Sequence, residues 1–77
     1  MPNIDKLLET LEKNAENYLK KTNKQKFNAY FDIKVAKMFT QNELKRLYND
    51  NINVIFTDNK NLRAYRLTKE GKLVLIW

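Results

Sequence analysis

The chain reads as an α+β domain with about three N-terminal helices followed by a C-terminal antiparallel β-hairpin or three-stranded meander. Three observations give that class. Ile4, Leu7, Leu8, Leu11, Ala15, Tyr18 and Leu19 recur at the three-four spacing of one buried helical stripe. Thr40 and Glu43 form a T-x-x-E capping box, which starts a new helix at about Gln41. After residue 51, the β-branched and aromatic runs INVIFT, LRAYRLT and KLVLIW are separated by the turn residues DNKN and KEG.

Each element has a local cause. Asn3 can cap the first helix, with Asp5 in its first turn and Lys20 and Lys21 near its last, as the helix dipole favours. Glu9 with Lys13 and Glu16 with Lys20 are supporting i,i+4 pairs, and the acidic outer face reads as solvated. KKTNKQK, residues 20 to 26, is a polar basic connector, by default a solvated loop but with lysines that could contact phosphate. Residues 26 to 39, KFNAYFDIKVAKMF, satisfy two templates. A helix puts Phe27, Tyr30, Phe31, Val35, Met38 and Phe39 on one stripe, with only Lys34 out of pattern. A strand alternates Phe27, Ala29, Phe31, Ile33 and Val35 with Asn28, Tyr30, Asp32 and Lys34. The helix gives three helices before the sheet, and a strand over 27 to 36 gives the order α-β-α-β-β-β. The capped helix, over 41 to 50, turns Leu44, Leu47 and Tyr48 inward and Gln41, Asn42, Lys45, Arg46 and Asn49 outward.

Composition narrows the chemistry. The 77 residues make one domain, 1 to 77, near the size at which a single core gives only marginal stability. With no Cys, His or Ser, the chain has no disulfide, no Cys/His zinc motif and no Ser-His or Cys-His nucleophile. One Gly and one Pro leave no Gly-rich phosphate loop, and no cofactor is expected. The longest apolar run, Leu73 to Trp77, is too short to span a membrane, so a cytoplasmic protein is expected.

The net charge of +6 is segregated: residues 1 to 19 carry a balance of −2 and residues 20 to 77 a balance of +8. A field of that sign favours a polyanion, most commonly nucleic acid. KLVLIW reads as a core strand. At a sheet edge, its five consecutive apolar residues would call for pairing with a second copy, making a homodimer through the C-terminal strand.

From Leu44 onward, LKRLYNDNINVIFTDNKNLRAYRLTKEGK resembles the end of the recognition helix and the wing of winged helix-turn-helix transcriptional regulators. Leu44, Leu47, Tyr65, Leu67, Thr68, Glu70 and Gly71 carry the resemblance. Asn51 stands where the family usually has glycine, and KLVLIW stands where many members begin another helix. The resemblance implies a small regulator of phage, plasmid or similar mobile-element type bound to double-stranded DNA. Helix 41 to 50 would lie in the major groove, with Gln41, Asn42, Lys45, Arg46 and Asn49 reading base edges. Hairpin 52 to 72 would set Lys60, Arg63, Arg66 and Lys69 on phosphates or a minor groove.

Two alternatives stand beside it. A strand at 27 to 36 makes Asp32-x-Lys34 resemble the D-x-K half of a Mg²⁺-dependent PD-(D/E)-x-K nuclease core, with Glu12 or Glu16 as the second carboxylate; an enzyme is not the expectation. The other alternative is a small phage-type inhibitor or adaptor that docks on a host or defence protein.

Overall fold

The computed structural model describes residues 3–23 and 25–77; Lys24, one of the connector's lysines, lies outside the described residues. The elements are α1 (Ile4–Lys21), β1 (Phe27–Asp32), α2 (Ile33–Ala36), α3 (Gln41–Leu47), β2 (Ile52–Asp58), β3 (Arg63–Leu67) and β4 (Leu73–Leu75).

Helix α1 forms where its stripe predicts. The Asn3 side chain accepts from the Asp5 and Lys6 amides, and Ile4, Leu11 and Ala15 are buried. Lys20 and Glu16 pair at 3.0 Å.

The chain is α+β, but helices do not all precede strands, and the helix over 27–39 does not form. Residues Phe27–Asp32 are a strand, parallel to β2 in the register Phe27↔Ile52, Ala29↔Val54, Phe31↔Phe56. The strand wins because β2 supplies a parallel ladder that local periodicity cannot reveal, and the Phe27 amide adds a 2.9 Å bond to the Asn51 carbonyl. The alternation then stops at Asp32 rather than running to 36, because its carboxylate accepts the Lys34 amide at 2.9 Å and caps α2. Ile33 and Val35 therefore pack on a single helical turn, half-buried against the core. Met38, which the helical stripe would have buried, is exposed.

Helix α3 starts with the expected capping box, in which Glu43 N–H donates to Thr40 Oγ1 and Thr40 N–H to Glu43 Oε1. It ends at Leu47, earlier than the expected residue 50, because Tyr48 turns extended (φ −68°, ψ 135°). Asn49 thus lies off the helix. It forms an isolated bridge with Ile52, and its side chain accepts the Asn51 amide at 2.7 Å.

The four strands stand in the order β1-β2-β3-β4, with β1 and β2 parallel and the remaining pairs antiparallel. The crossover through α2 and α3 packs on one face of the sheet, and α1 packs there too, so Leu47, Val54 and Phe56 are almost completely removed from solvent. Side chains alternate along strands. Since Val54 and Phe56 enter the helical core, Ile55 points to the opposite face, together with its cross-strand neighbours Tyr30 and Arg66. Among the described residues, no helix covers that face, which is bare.

Strand β4 pairs with β3 as the outer strand of this chain's own sheet. The pairing continues past Leu75, since Ile76 N–H donates to the Ala64 carbonyl at 2.9 Å and Ala64 N–H to that of Trp77 at 3.3 Å.

Candidate nucleic-acid interface

The clearest meeting of helix and hairpin is the corner where α3 meets the β3–β4 turn. That turn closes with Gly71 N–H on the Thr68 carbonyl at 3.0 Å and Thr68 N–H on that of Lys72 at 2.8 Å. Gly71 takes φ +79°, which L residues rarely adopt, and a Cβ there would press on the Gln41 carbonyl and sit 2.9 Å from Lys45 Cγ. The missing side chain lets the turn lie directly on α3. Gln41 Nε2 then donates to the Glu70 carbonyl at 2.9 Å, joining elements 29 residues apart. Exposed Asn42, Lys45 and Lys69 share this corner with exposed Lys72.

The other expected DNA contacts lie elsewhere. Arg46 bonds the Asp5 carboxylate at the start of α1, so its guanidinium is engaged within the chain. Lys60 belongs to the β2–β3 turn at the far end of β3, about 15 Å from the first turn for a strand of this length. It lines a groove of about 380 Å³ with Asp32, Lys34, Lys37 and Asp58. Arg63 stands opposite Asp58 in the ladder, and Arg66 lies between the two ends on the bare face.

In that groove both carboxylates have structural tasks. Asp32 caps α2, and Asp58 accepts from Asn61 through its backbone N–H at 3.2 Å and its side-chain amide at 2.8 Å. These Asn61 bonds, with the Lys60 backbone and the Lys37 charge adding to them, lower the Asp58 pKa. Tyr48 is shifted up instead, chiefly by the neighbouring Asp50 carboxylate and then by burial. Glu12 and Glu16 line a separate groove with Leu19, Lys20, Asn49 and Asn51, which shares no residue with the groove of Asp32 and Lys34. Among the described residues, no three His, Cys, Asp or Glu side chains come together as a metal site.

Sequence reasoning missed the row Tyr30, Ile55, Arg66, Val74, which crosses all four strands on the bare face. Tyr30 is 64% exposed although it sits mid-strand, whereas Ile55 beside it is only 9% exposed. The strand template did place Tyr30 opposite Phe31, but only the register brings it into line with Arg66. Along the free edge, Val74, Leu75, Ile76 and Trp77 are all exposed. No described helix is long and apolar enough to cross a membrane.

No family model matches this chain, and no curated protein or solved structure matches it either.

Proposed function

We propose that the chain is a non-catalytic, regulatory DNA-binding protein that docks duplex DNA on the corner formed by α3 and the β3–β4 turn. The observation that carries the reading is the seating of Gly71 on α3, which joins Asn42 and Lys45 of the helix to Lys69 and Lys72 of the hairpin region. The charge balance agrees with it. Among the described residues, no charged side chain is buried and only two ion pairs form, Lys20–Glu16 and Arg46–Asp5. Most of the positive charge therefore faces solvent, where it can displace counterions from phosphate. In this arrangement Asn42 is the base-edge reader, and Lys45 and Lys69 are phosphate contacts.

The test is a gel-shift titration against duplex DNA at several salt concentrations. Affinity should fall steeply with salt, and Lys45→Ala with Lys69→Ala should weaken all sequences alike while lowering the salt slope by about two. A folded protein that binds no duplex even at low salt would sink the reading.

A second reading has its own observation. The exposed apolar side chains of Val74, Leu75, Ile76 and Trp77 lie on an outer strand with an unpaired edge, a surface suited to strand addition by a second copy or by a host protein. Trp77 reports on the first case: its fluorescence should change on dilution through a homodimer transition, and an unchanged signal with a monomeric mass at high concentration would remove it.

A further inference from the structure

We propose that the bare face of the sheet takes single-stranded nucleic acid, with Tyr30 as the stacking platform for a base and Arg66 as the contact for the adjoining phosphate. The inference rests on the nucleic-acid reading only in taking a polyanion as partner; it uses neither α3 nor its corner.

The row Tyr30, Ile55, Arg66, Val74 supplies the parts in order. Tyr30 presents its ring to solvent from the middle of β1, while its neighbour Ile55, 9% exposed, gives it an apolar floor. A ring so placed stacks on any base with a free face, which paired bases inside a duplex do not offer. Arg66 is two strands away, roughly 10 Å at the usual strand spacing, a distance that a nucleotide or two can bridge. Its guanidinium is exposed and makes no ion pair among the described residues, so its planar fork is available to a phosphate.

The surroundings suit the same ligand. One step along the strands, Asn53 Nδ2 donates to Asn28 Oδ1 at 3.0 Å, which leaves the Asn28 amide donors and the Asn53 carbonyl for a base edge. In the other direction, Asp32 borders both the face and a groove in which Lys34, Lys37 and Lys60 outnumber the Asp32 and Asp58 carboxylates, so a strand leaving the sheet meets a net positive lining. A protein partner is the poorer fit to this row, because it would have to cover an unpaired guanidinium at its centre. The exposed apolar residues that invite a protein lie instead along β4.

Fluorescence anisotropy with labelled single strands of about twelve nucleotides, DNA and RNA, against a duplex of the same sequence tests the proposal. Wild type should bind single strands, and Tyr30→Ala should lower that affinity roughly five- to a hundred-fold while Tyr30→Phe preserves it. Duplex affinity should not change in Tyr30→Ala. Arg66→Ala should weaken single-strand binding and reduce its salt slope by about one. Amide chemical shifts of the wild type provide a measurement independent of variants: added single strand should move Tyr30, Ile55 and Arg66. Unchanged single-strand affinity in Tyr30→Ala, or shifts confined to α3, would overturn this proposal and leave duplex binding standing. Absence of binding to either form would overturn both.

Discussion

Val54 and Phe56 face one side of strand β2 and Ile55 faces the other, and all three are buried, yet by different means. Val54 and Phe56, at 1% and 0% exposure, are covered by helices and share a cluster with Leu44, Leu47 and Leu11. No described helix lies above Ile55. It is shielded within the sheet itself, between Tyr30 and Arg66 and beside Asn53 and Thr57. On the covered face, burial joins distant segments and so contributes to holding the fold together. On the bare face, it joins only neighbouring strands and leaves an aromatic ring and a cation displayed. Two adjacent residues of similar chemistry thus do different work, one for folding and one for surface.

That contrast can be tested by truncation. Phe56→Ala removes a ring with no solvent contact and should cost about 3–5 kcal/mol, a large part of the stability of so small a domain. Ile55→Ala, whose surroundings can relax toward solvent, should cost less, about 1–2 kcal/mol. Urea unfolding followed by far-UV circular dichroism measures both. Equal losses at the two positions would mean that the bare face is covered in solution, and a loss at Ile55 that grows with protein concentration would identify the cover as a second copy.

Gly71→Ala comes next, because it attacks the corner and spares both faces. The added methyl group meets the Gln41 backbone, which cannot yield as a flexible side chain would, and φ +79° is itself unfavourable for alanine. A loss of roughly 2–3 kcal/mol is expected, together with weaker duplex binding as the turn lifts from α3. Single-strand binding at Tyr30 should be unaffected, which separates the corner from the bare face. If duplex affinity were unchanged despite the lost stability, the corner would not be the DNA contact.

What could be read from the sequence follows the range of the interactions. The Asn3 cap and the Thr40–Glu43 box act over two or three residues and form as their spacing predicts. Residues 27–39 fit two periods equally well, and the decision came from a ladder with β2, 25 residues further along. The break at Asp32 has a local cause, a carboxylate that accepts the amide two residues on, but in the sequence Asp32-x-Lys34 reads only as a strand pair or half of a nuclease core. The candidate surface was less legible. Lys60, Arg63, Arg66 and Lys69 look like one basic arm in the sequence, but a five-residue strand separates the turns, and Arg66 points from the bare face. Arg46 carries no sequence sign of its partner Asp5, which lies 41 residues away.

The smallest expected effect concerns the far end of the sheet, where the covered and bare faces meet at Asp58. Its carboxylate is held below its ordinary pKa of 3.8, first by the Asn61 side-chain bond and then by the Asn61 and Lys60 backbone and the Lys37 charge. Arg63 faces it across the ladder, and Asp32, Lys34 and Lys60 share its groove. A carboxyl group with a depressed pKa in the folded state binds fewer protons there than in the unfolded chain. Its contribution is therefore complete above the ordinary value and is lost as pH falls through the lowered one. Asp58→Asn keeps an oxygen that can accept the Asn61 amide but removes the charge, so the variant should lose stability less steeply than wild type as pH falls below 3.8. Thermal melts at closely spaced acidic pH values would measure the slopes. Because the hairpin turn bonds are exposed, the difference should be small and confined to that window. Parallel curves for the two proteins would mean that the Asp58 charge does not help hold the β2–β3 turn.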